Sequence, residues 1–307
     1  MTPAHAQDFP SKPVRVISQF NAGSALDAVL RLVGEKFKEI TGQQLLIDNK
    51  PGGAGFVAAQ AGAAAAPDGY SVLMGGSGMM TINPHTFKKL PYDPETSFKP
   101  LTNLIGAALV FGAGASVPAN NLQEFVAYAK ANPNKTNFAS YTPGSPSHFA
   151  GYIFNQRAGI DMLHIPYNGA APAVTALLGG QVQTAFLQLL SFKAQLDSGR
   201  VKAFAITGEK RSPLLPNVPT FAELGYPEMT IYAWIGLYVP AATPDPIVAQ
   251  LSSIFNKVLR SPDVAEKLRS LDFEPLPTTP AELAAYMKTD SARWQDAVKL
   301  SGFKPNE

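Results

Sequence analysis

Two short loops carry the residue types that suit a small anion. Each follows an apolar, strand-like segment and opens a predicted helix, the first at residues 19–25 and the second at residues 141–148. Backbone N–H groups at a helix start have no partner within the helix and lie at the positive end of its dipole, so they attract anions without a cationic side chain. We therefore expect a small acid to be held by both loops. The expected ligand-binding residues in these loops are Phe20, Asn21, Ala22, Gly23, Ser24, Ala25, Tyr141, Thr142, Gly144, Ser145, Ser147 and His148.

Helix capping is the other explanation for the same residues. In the first loop Ser24 and Asp27 are typical of a capping pair, which gives Asp27 a structural role. In the second loop Ser145 suits the N-cap and Pro146 suits the first helical position, where a missing N–H costs nothing. Every helix needs a start, so each loop taken singly is explained by capping as well as by ligand binding.

Strands and helices alternate over most of the chain and must position these loops. Alternation of this kind indicates α/β domains with largely parallel sheets, whose binding crevices lie beyond the carboxyl ends of the strands. The predicted strands are at 14–20, 44–48, 71–75, 137–140, 162–165, 182–186, 201–207 and 231–239. The predicted helices are at 26–40, 122–130, 149–158, 171–178 and 247–259, with a final helix that begins at about residue 279.

Composition narrows the class of protein. A chain of 307 residues is near the upper size of a single core, so two domains are expected. A net charge of +2 without a block of Lys or Arg gives no electrostatic footprint for nucleic acid, and no apolar run reaches membrane-spanning length. The sequence has no cysteine, which excludes disulfides, thiol chemistry and thiolate metal sites.

The N-terminus has the pattern of a processed signal peptide. Ala4-His5-Ala6 followed by Gln7 fits a cleavage site between small residues, which predicts export to the periplasm and a mature protein that begins near Gln7. A chance tripeptide in a flexible tail is the alternative.

Each segment that resembles a catalytic or cofactor motif lacks a residue that the motif requires. The segment 75–79 resembles a nucleophile elbow but lacks the closing glycine, and the histidines show no triad order. The segment 53–58 matches a relaxed dinucleotide fingerprint, yet no acidic residue stands about 20 positions later, so we interpret it as a turn entering a helix. We expect no enzyme activity, no metal and no cofactor.

Seven segments spread over nearly the whole chain form a combined pattern. They are NKPGGAG at 49–55, APDGY at 66–70, INP at 82–84, LPYD at 90–93, HIPYNGAAPA at 164–173, LGGQV at 178–182 and PNVPT at 216–220. In this order and spacing, from residue 14 to about 303, the chain resembles the Bug proteins, the extracytoplasmic solute receptors of tripartite tricarboxylate transporters.

The resemblance implies a two-domain periplasmic-binding-protein fold (type II, Venus-flytrap) that binds its ligand in an interdomain cleft without catalysis. It places domain 1 at residues 1–101 and 230–307 and domain 2 at residues 102–229. The two loops match the family's ligand loops, and Ser77 with Gly78, Met79 and Met80 matches a third. The implied partners are a small carboxylate and the membrane components of a tripartite transporter, and a receptor that closes around its ligand is most simply a monomer.

Departures from the family pattern bear on the ligand. Where the family commonly has a Gly-Gly-x-x-Asp run, this chain keeps Asp27 but has Ser24 at the second position, which adds a hydroxyl that can donate to a carboxylate. Leu187-Gln188 stands where many members have an aspartate, which argues against an amino-acid ligand because a buried ammonium would be unpaired. The alternative is that Leu187 merely packs.

Apolar side chains on or beside the loops suggest a flat ring ligand. They are Phe20, Met79, Met80, Tyr141 and Phe149, and Tyr167 either closes over the cleft or packs. We therefore expect an aromatic dicarboxylate such as terephthalate; the alternative is that these side chains belong to the core. His148 is expected to donate to the ligand or to a neighbouring loop, and His164 to be structural.

Other functions remain open. The receptor could take aliphatic dicarboxylates, citrate or an acidic amino acid, or it could present its ligand to a membrane kinase as a sensory module. An enzyme acting on a carboxylated substrate would need an activated nucleophile or base that the sequence does not show.

Overall fold

The computed structural model describes residues 9–133, 135–167 and 169–307. The predicted cleavage site at Ala6 and Gln7, and Asn168 of the family pattern, lie outside these residues. The strands are β1 (Val14–Ser18), β2 (Leu45–Asn49), β3 (Ser71–Gly76), β4 (Phe98–Gly114), β5 (Asn137–Ser140), β6 (Leu163–Pro166), β7 (Thr184–Gln188), β8 (Val201–Ile206), β9 (Tyr232–Pro240) and β10 (Glu274–Pro275). The α-helices are α1 (Ala25–Thr41), α2 (Phe56–Ala63), α3 (Asn83–Thr86), α4 (Leu122–Ala131), α5 (Pro146–Ala158), α6 (Ala170–Leu178), α7 (Leu189–Asp197), α8 (Asp245–Arg260), α9 (Pro262–Ser270) and α10 (Pro280–Ser301).

The chain divides into two compact units. Unit 1 contains residues 1–105, 234–269 and 274–291, and unit 2 contains residues 106–233, 270–273 and 292–307. The domain boundaries predicted from the sequence, 1–101 with 230–307 and 102–229, stay a prediction. The compact units have different boundaries from the predicted domains mainly at the C-terminus, where residues 292–307 group with unit 2.

Unit 1 is built on a mixed sheet in which β1 lies between two parallel neighbours. β2 and β3 both run parallel to β1, and β9 runs antiparallel to β3. Helix α1 covers the sheet with an apolar stripe, and the ring of its Phe37 lies 5.3 Å from that of Phe255 on α8. Because β1, β2 and β3 are parallel, the segments that follow Ser18, Asn49 and Gly76 all leave the sheet at the same edge.

Unit 2 has the strand order β8-β4-β7-β5-β6. β4 is antiparallel to both β7 and β8, whereas β5 runs parallel to β6 and β7. At its centre Phe111 stacks on Phe186 at 4.6 Å, and both rings are fully buried. The segments after Ser140, Pro166 and Gln188 therefore leave the sheet together.

The predicted α/β class is confirmed, and the eight predicted strands are all present. The sequence prediction missed β4, the longest strand, because Gly106, Gly112 and several polar residues interrupt the periodicity on which a strand assignment depends. It also missed β10, α3, α7 and α9. Within the described residues, no helix is long and apolar enough to cross a membrane.

Candidate functional site

The first loop joins β1 to α1, and its backbone is held by the helix that it opens. Ser24 is the N-cap, and its hydroxyl oxygen accepts from the N–H of Asp27 at 3.2 Å. The Asp27 carboxylate accepts in turn from the N–H of Gly23 at 3.0 Å, one residue earlier than in a standard capping box. Gly23 has φ 77°, a left-handed conformation that a glycine adopts without strain. The predicted capping pair is thus present, with a glycine built into it.

The buried carboxylate of Asp27 fixes the loop through several hydrogen bonds. The residue is 1% exposed, and its carboxylate also accepts from Arg31 Nε at 2.9 Å and Asn49 Nδ2 at 3.2 Å. The Gly23 N–H, with Arg31 and Asn49, holds the pKa of Asp27 below its usual value. The same Asn49 amide donates to the carbonyl oxygen of Phe20 at 3.0 Å, which ties the loop to the end of β2. The structural role predicted for Asp27 matches this geometry.

The outer side of the same loop remains available to a ligand. Asn21, Ala22, Gly23 and Ala25 are exposed, while Phe20 and Ser24 are half-buried. Among the described residues, the N–H groups of Ala25 and Leu26 find no acceptor. The loop therefore presents the positive end of a 17-residue helix, with two unpaired donors, on a backbone that is already fixed.

The second loop joins β5 to α5 and is also self-capped. Ser145 is the N-cap; its hydroxyl donates to the carbonyl oxygen of Thr142 at 2.6 Å and accepts from the N–H of His148 at 3.3 Å. Gly144, at φ 72°, donates its N–H to His148 Nδ1 at 3.0 Å. Both loops thus place a left-handed glycine immediately before a serine N-cap.

His148 belongs to the framework of this loop, and its donation to a ligand or another loop stays a prediction. The residue is 3% exposed and its Nδ1 accepts from Gly144 within the same loop. The ring stacks on His164 with 3.8 Å between the ring centres. Burial and the neighbouring His164 lower the pKa of His148 to about 3, and burial lowers the pKa of His164 to about 4. Both rings are neutral at pH 7, and His164, whose Nε2 lies 2.8 Å from Ser140 Oγ, is structural as predicted.

This buried pair predicts a loss of stability in mild acid. Histidines in the unfolded chain bind protons below about pH 6.5, whereas the folded pair stays neutral to about pH 4. The unfolded state therefore gains stability from protonation that the folded state does not gain, and the free energy of unfolding falls as the pH is lowered below about 6.5. For His148, lowering the pH to about 5 costs about 2 kcal/mol of folding free energy. Urea unfolding at several pH values measures this slope, and His148→Gln should make it shallower. An unchanged slope in that variant would contradict the assignment.

Tyr141 is surrounded by the polar groups of the second loop. Burial raises the pKa of its phenol to about 12, opposed by hydrogen bonding with the Ser147 backbone and the Ser145 and Gln188 side chains. The Ser147 hydroxyl is fully buried and donates to the carbonyl oxygen of Phe186, so its side chain faces the sheet and not a ligand, contrary to expectation. Thr142, Gly144, Gln188, Tyr141 and Tyr167 keep exposed or partly exposed surface at this edge of unit 2.

The predicted third loop is a single π-helical turn, Gly78–Ile82, that follows β3. Thr81 fastens it by donating to the carbonyl oxygen of Ser77 at 2.9 Å and to the buried carboxylate of Asp290 at 2.7 Å. Tyr92 donates to the carbonyl oxygen of Met79 at 2.7 Å. Ser77 is 4% exposed, so the half-buried Gly78 is the accessible residue of this turn.

Three of the five side chains predicted as an apolar lining, Met79, Met80 and Phe149, are between 0 and 2% exposed, because they pack into the cores of their own units, as the alternative expects. Leu187 lies in a cluster with Val110 and Phe192, which confirms the alternative that it merely packs. Phe20 and Tyr141 remain half-buried beside the loops.

Sequence reasoning missed a hydrogen-bonded chain that joins three of the family segments. Asn83 Nδ2 donates to the carbonyl oxygen of Ala54 at 3.0 Å and to the Tyr92 hydroxyl at 3.1 Å, and Tyr92 donates on to Met79. Asn83 in INP and Tyr92 in LPYD were the polar residues of these segments that could have indicated such a chain. Sequence reasoning also omitted Gln19 from the binding residues, although it lies in the first loop.

The sequence and the fold are similar to those of known receptors. The sequence model of the tripartite tricarboxylate transporter family receptor (TctC) matches residues 29–303. Protein BugT of Bordetella pertussis is 29% identical over 98% of this chain and 93% of its own length. The structure of R. palustris Rpa4515 with adipate superposes with a TM-score of 0.83 at 29% identity, covering 97% of this chain and 100% of that one. The structure of MatC (Rpa3494) from Rhodopseudomonas palustris with bound malate gives a TM-score of 0.76 at 33% identity, covering 94% and 100%.

Proposed function

The chain belongs to the tripartite tricarboxylate transporter receptor family, and from this premise we propose that it captures a small dicarboxylate in the periplasm for tripartite transport, without catalysis. The observation that carries the proposal is the first loop, which offers the unpaired N–H groups of Ala25 and Leu26 on a backbone fixed by Asp27. Such a helix start binds a carboxylate oxygen well.

The second loop, in unit 2, supplies a similar set of groups. Gly144 and Ser145 open α5 as Gly23 and Ser24 open α1, and the hydroxyl of Tyr141 lies among the donors there. In this proposal each loop binds a carboxylate group. The ligand-binding residues named from the sequence contribute mainly through their backbone, except where the structure buries their side chains.

Two ligand classes compete. Half-buried Phe20 and Tyr141 favour a flat aromatic diacid such as terephthalate. An aliphatic diacid is favoured by the relatives solved with adipate and with malate, and by the burial of Met79, Met80 and Phe149.

Thermal unfolding against a panel of acids tests the proposal. The panel contains terephthalate, its dimethyl ester, benzoate, adipate, malate, citrate and glutamate. A ligand at about 100 times its dissociation constant adds roughly 2.7 kcal/mol of stability, which is a clear shift of the unfolding midpoint. Stabilisation by one diacid, with none from its diester, is the expected result. Stabilisation by none of the acids would contradict the function, and stabilisation by glutamate alone would contradict the interpretation of Leu187.

The proposed partners follow from the family. The receptor would act as a monomer that delivers its ligand to the membrane components of the transporter. A sensory module uses the same site, and loss of a ligand-dependent response with uptake intact, after deletion of the gene, would favour that role.

A further inference from the structure

Gln19 follows β1 directly, and the backbone on both sides of it is fixed. The carbonyl oxygen of Ser18 accepts from the N–H of Lys50 at 2.7 Å. The N–H of Phe20 donates to Ser18 Oγ at 3.2 Å, and the carbonyl oxygen of Phe20 accepts from Asn49 Nδ2 at 3.0 Å. These three bonds determine the direction in which the Gln19 side chain leaves the sheet.

The side chain enters a slot that two glycines create. A Cβ atom on Gly55 would overlap Gln19 Oε1 and lie 2.8 Å from Met79 Cε. A Cβ atom on Gly76 would lie 3.1 Å from Gln19 Nε2 and 2.9 Å from Ile235 Cδ1. The amide therefore lies close to both glycines, where the first loop, the turn at residues 53–55 and the end of β3 meet.

The amide has no partner of its own. It is half-buried, and neither terminal atom makes a hydrogen bond to any residue that the structure describes. Its terminal atoms are not among the fully buried polar atoms that lack a partner, so they keep access to solvent and are free to bond a ligand in place of water. By contrast, the Asp27 carboxylate beside the same loop accepts from both Asn49 Nδ2 and Arg31 Nε.

We propose that Gln19 is a ligand-contacting residue whose amide donates a hydrogen bond to a carboxylate oxygen of the ligand held by the first loop. This inference rests on the proposed function and adds a side-chain contact to a site described so far through backbone N–H groups. A neutral amide donor orients the carboxylate without the strong attraction of a cation, which suits a receptor that must release its ligand.

Two substitutions of similar size separate this contact from packing. Gln19→Met keeps the volume between Gly55 and Gly76 and removes the donor. Gln19→Glu keeps the shape of the side chain and places a negative charge beside the carboxylate of the ligand. Gln60→Glu, on the exposed face of α2 in the same unit, is the matched control for the added charge.

Calorimetric titration with terephthalate, adipate and malate, together with the unfolding midpoint of each variant, provides the measurement. For the acid that the wild type binds most tightly, we expect Gln19→Met to weaken affinity roughly 10-fold and Gln19→Glu roughly 100-fold or more, with Gln60→Glu unchanged. The midpoints without ligand should stay close to that of the wild type, because Gln19 makes no hydrogen bond to the described protein.

The outcomes distinguish the two proposals. If the wild type binds one of these acids and both Gln19 variants bind it equally well, the inference is wrong and the proposed function stands. If affinity falls only in step with the midpoint, Gln19 is a packing residue and the inference is again wrong. If the wild type binds none of the acids, both proposals are overturned.

Discussion

Replacing Gly23 by Val is expected to weaken carboxylate binding roughly 100-fold or more while the protein remains folded. A Cβ atom at Gly23 meets no protein atom within 4 Å, so the new side chain projects into the open space over the loop. That space is where the ligand is proposed to lie. The backbone at φ 77° also strains a β-branched residue by about 1–2 kcal/mol, which shifts the loop that carries the donors.

Gly42→Val is the matched control for this substitution. Gly42 lies at the other end of α1 and has φ 74°, and a Cβ atom added there likewise meets no protein atom within 4 Å. Both variants should lose a similar amount of stability in urea unfolding, and only Gly23→Val should lose affinity in titration. Equal affinities in the two variants would remove the first loop from the binding site.

The second loop allows the same comparison. Gly144→Val is expected to abolish binding, while Gly159→Val, at the C-terminal end of α5 with φ 62°, should not. A result in which only the Gly23 variant loses affinity would mean that the second loop does not bind the ligand.

Asp27→Ala is expected to have the second large effect, on stability as well as on binding. The substitution removes the common acceptor of the Gly23 N–H, the Asn49 amide and Arg31. The lost carboxylate is buried, but Gly23 and Arg31 are exposed and water replaces it there, so the loss should cost about 1–3 kcal/mol. Because the Gly23 N–H is released, the loop also loses its fixed shape, and affinity should fall roughly 10-fold or more.

Asp197→Ala provides the reference for an ordinary helical ion pair. Asp197 pairs with Lys193 in the same i,i+4 spacing as Asp27 and Arg31, but its side chain is 60% exposed, whereas that of Asp27 is 2% exposed. Its removal should cost less than about 0.5 kcal/mol in urea unfolding and leave affinity unchanged. If the two variants are equally stable, Asp27 is not the anchor of the loop.

Local sequence was a good guide where local chemistry decides the structure. Ser24 with Asp27 and Ser145 with Pro146 marked two helix starts correctly, because an N-cap is fixed by side chains within three or four residues. The alternation of strands and helices indicated the α/β class, and the combined family segments identified a receptor family that the comparisons confirm.

Burial could not be predicted in the same way, because it depends on residues that are distant in the chain. Met79, Phe149 and Leu187 stand next to accessible loop residues in sequence, yet each turns into a core formed by other segments. The strand β4 was missed for a related reason, since its two halves are stabilised by partners at residues 184–188, 201–206 and 274–275 rather than by its own pattern.

The sequence by itself determined where the two loops proposed to bind a carboxylate lie, that each begins a helix with a glycine and a serine, and which receptor family the chain belongs to. Only the tertiary structure decided which polar groups of those loops are paired within the protein and which are left for a ligand. Asp27 takes the Gly23 N–H, His148 takes that of Gly144, and Gln19 is left unpaired between Gly55 and Gly76. The physical reason is that a helix start encodes its own cap, whereas the pairing of each remaining polar group depends on which distant strands and turns the sheet brings to the same edge.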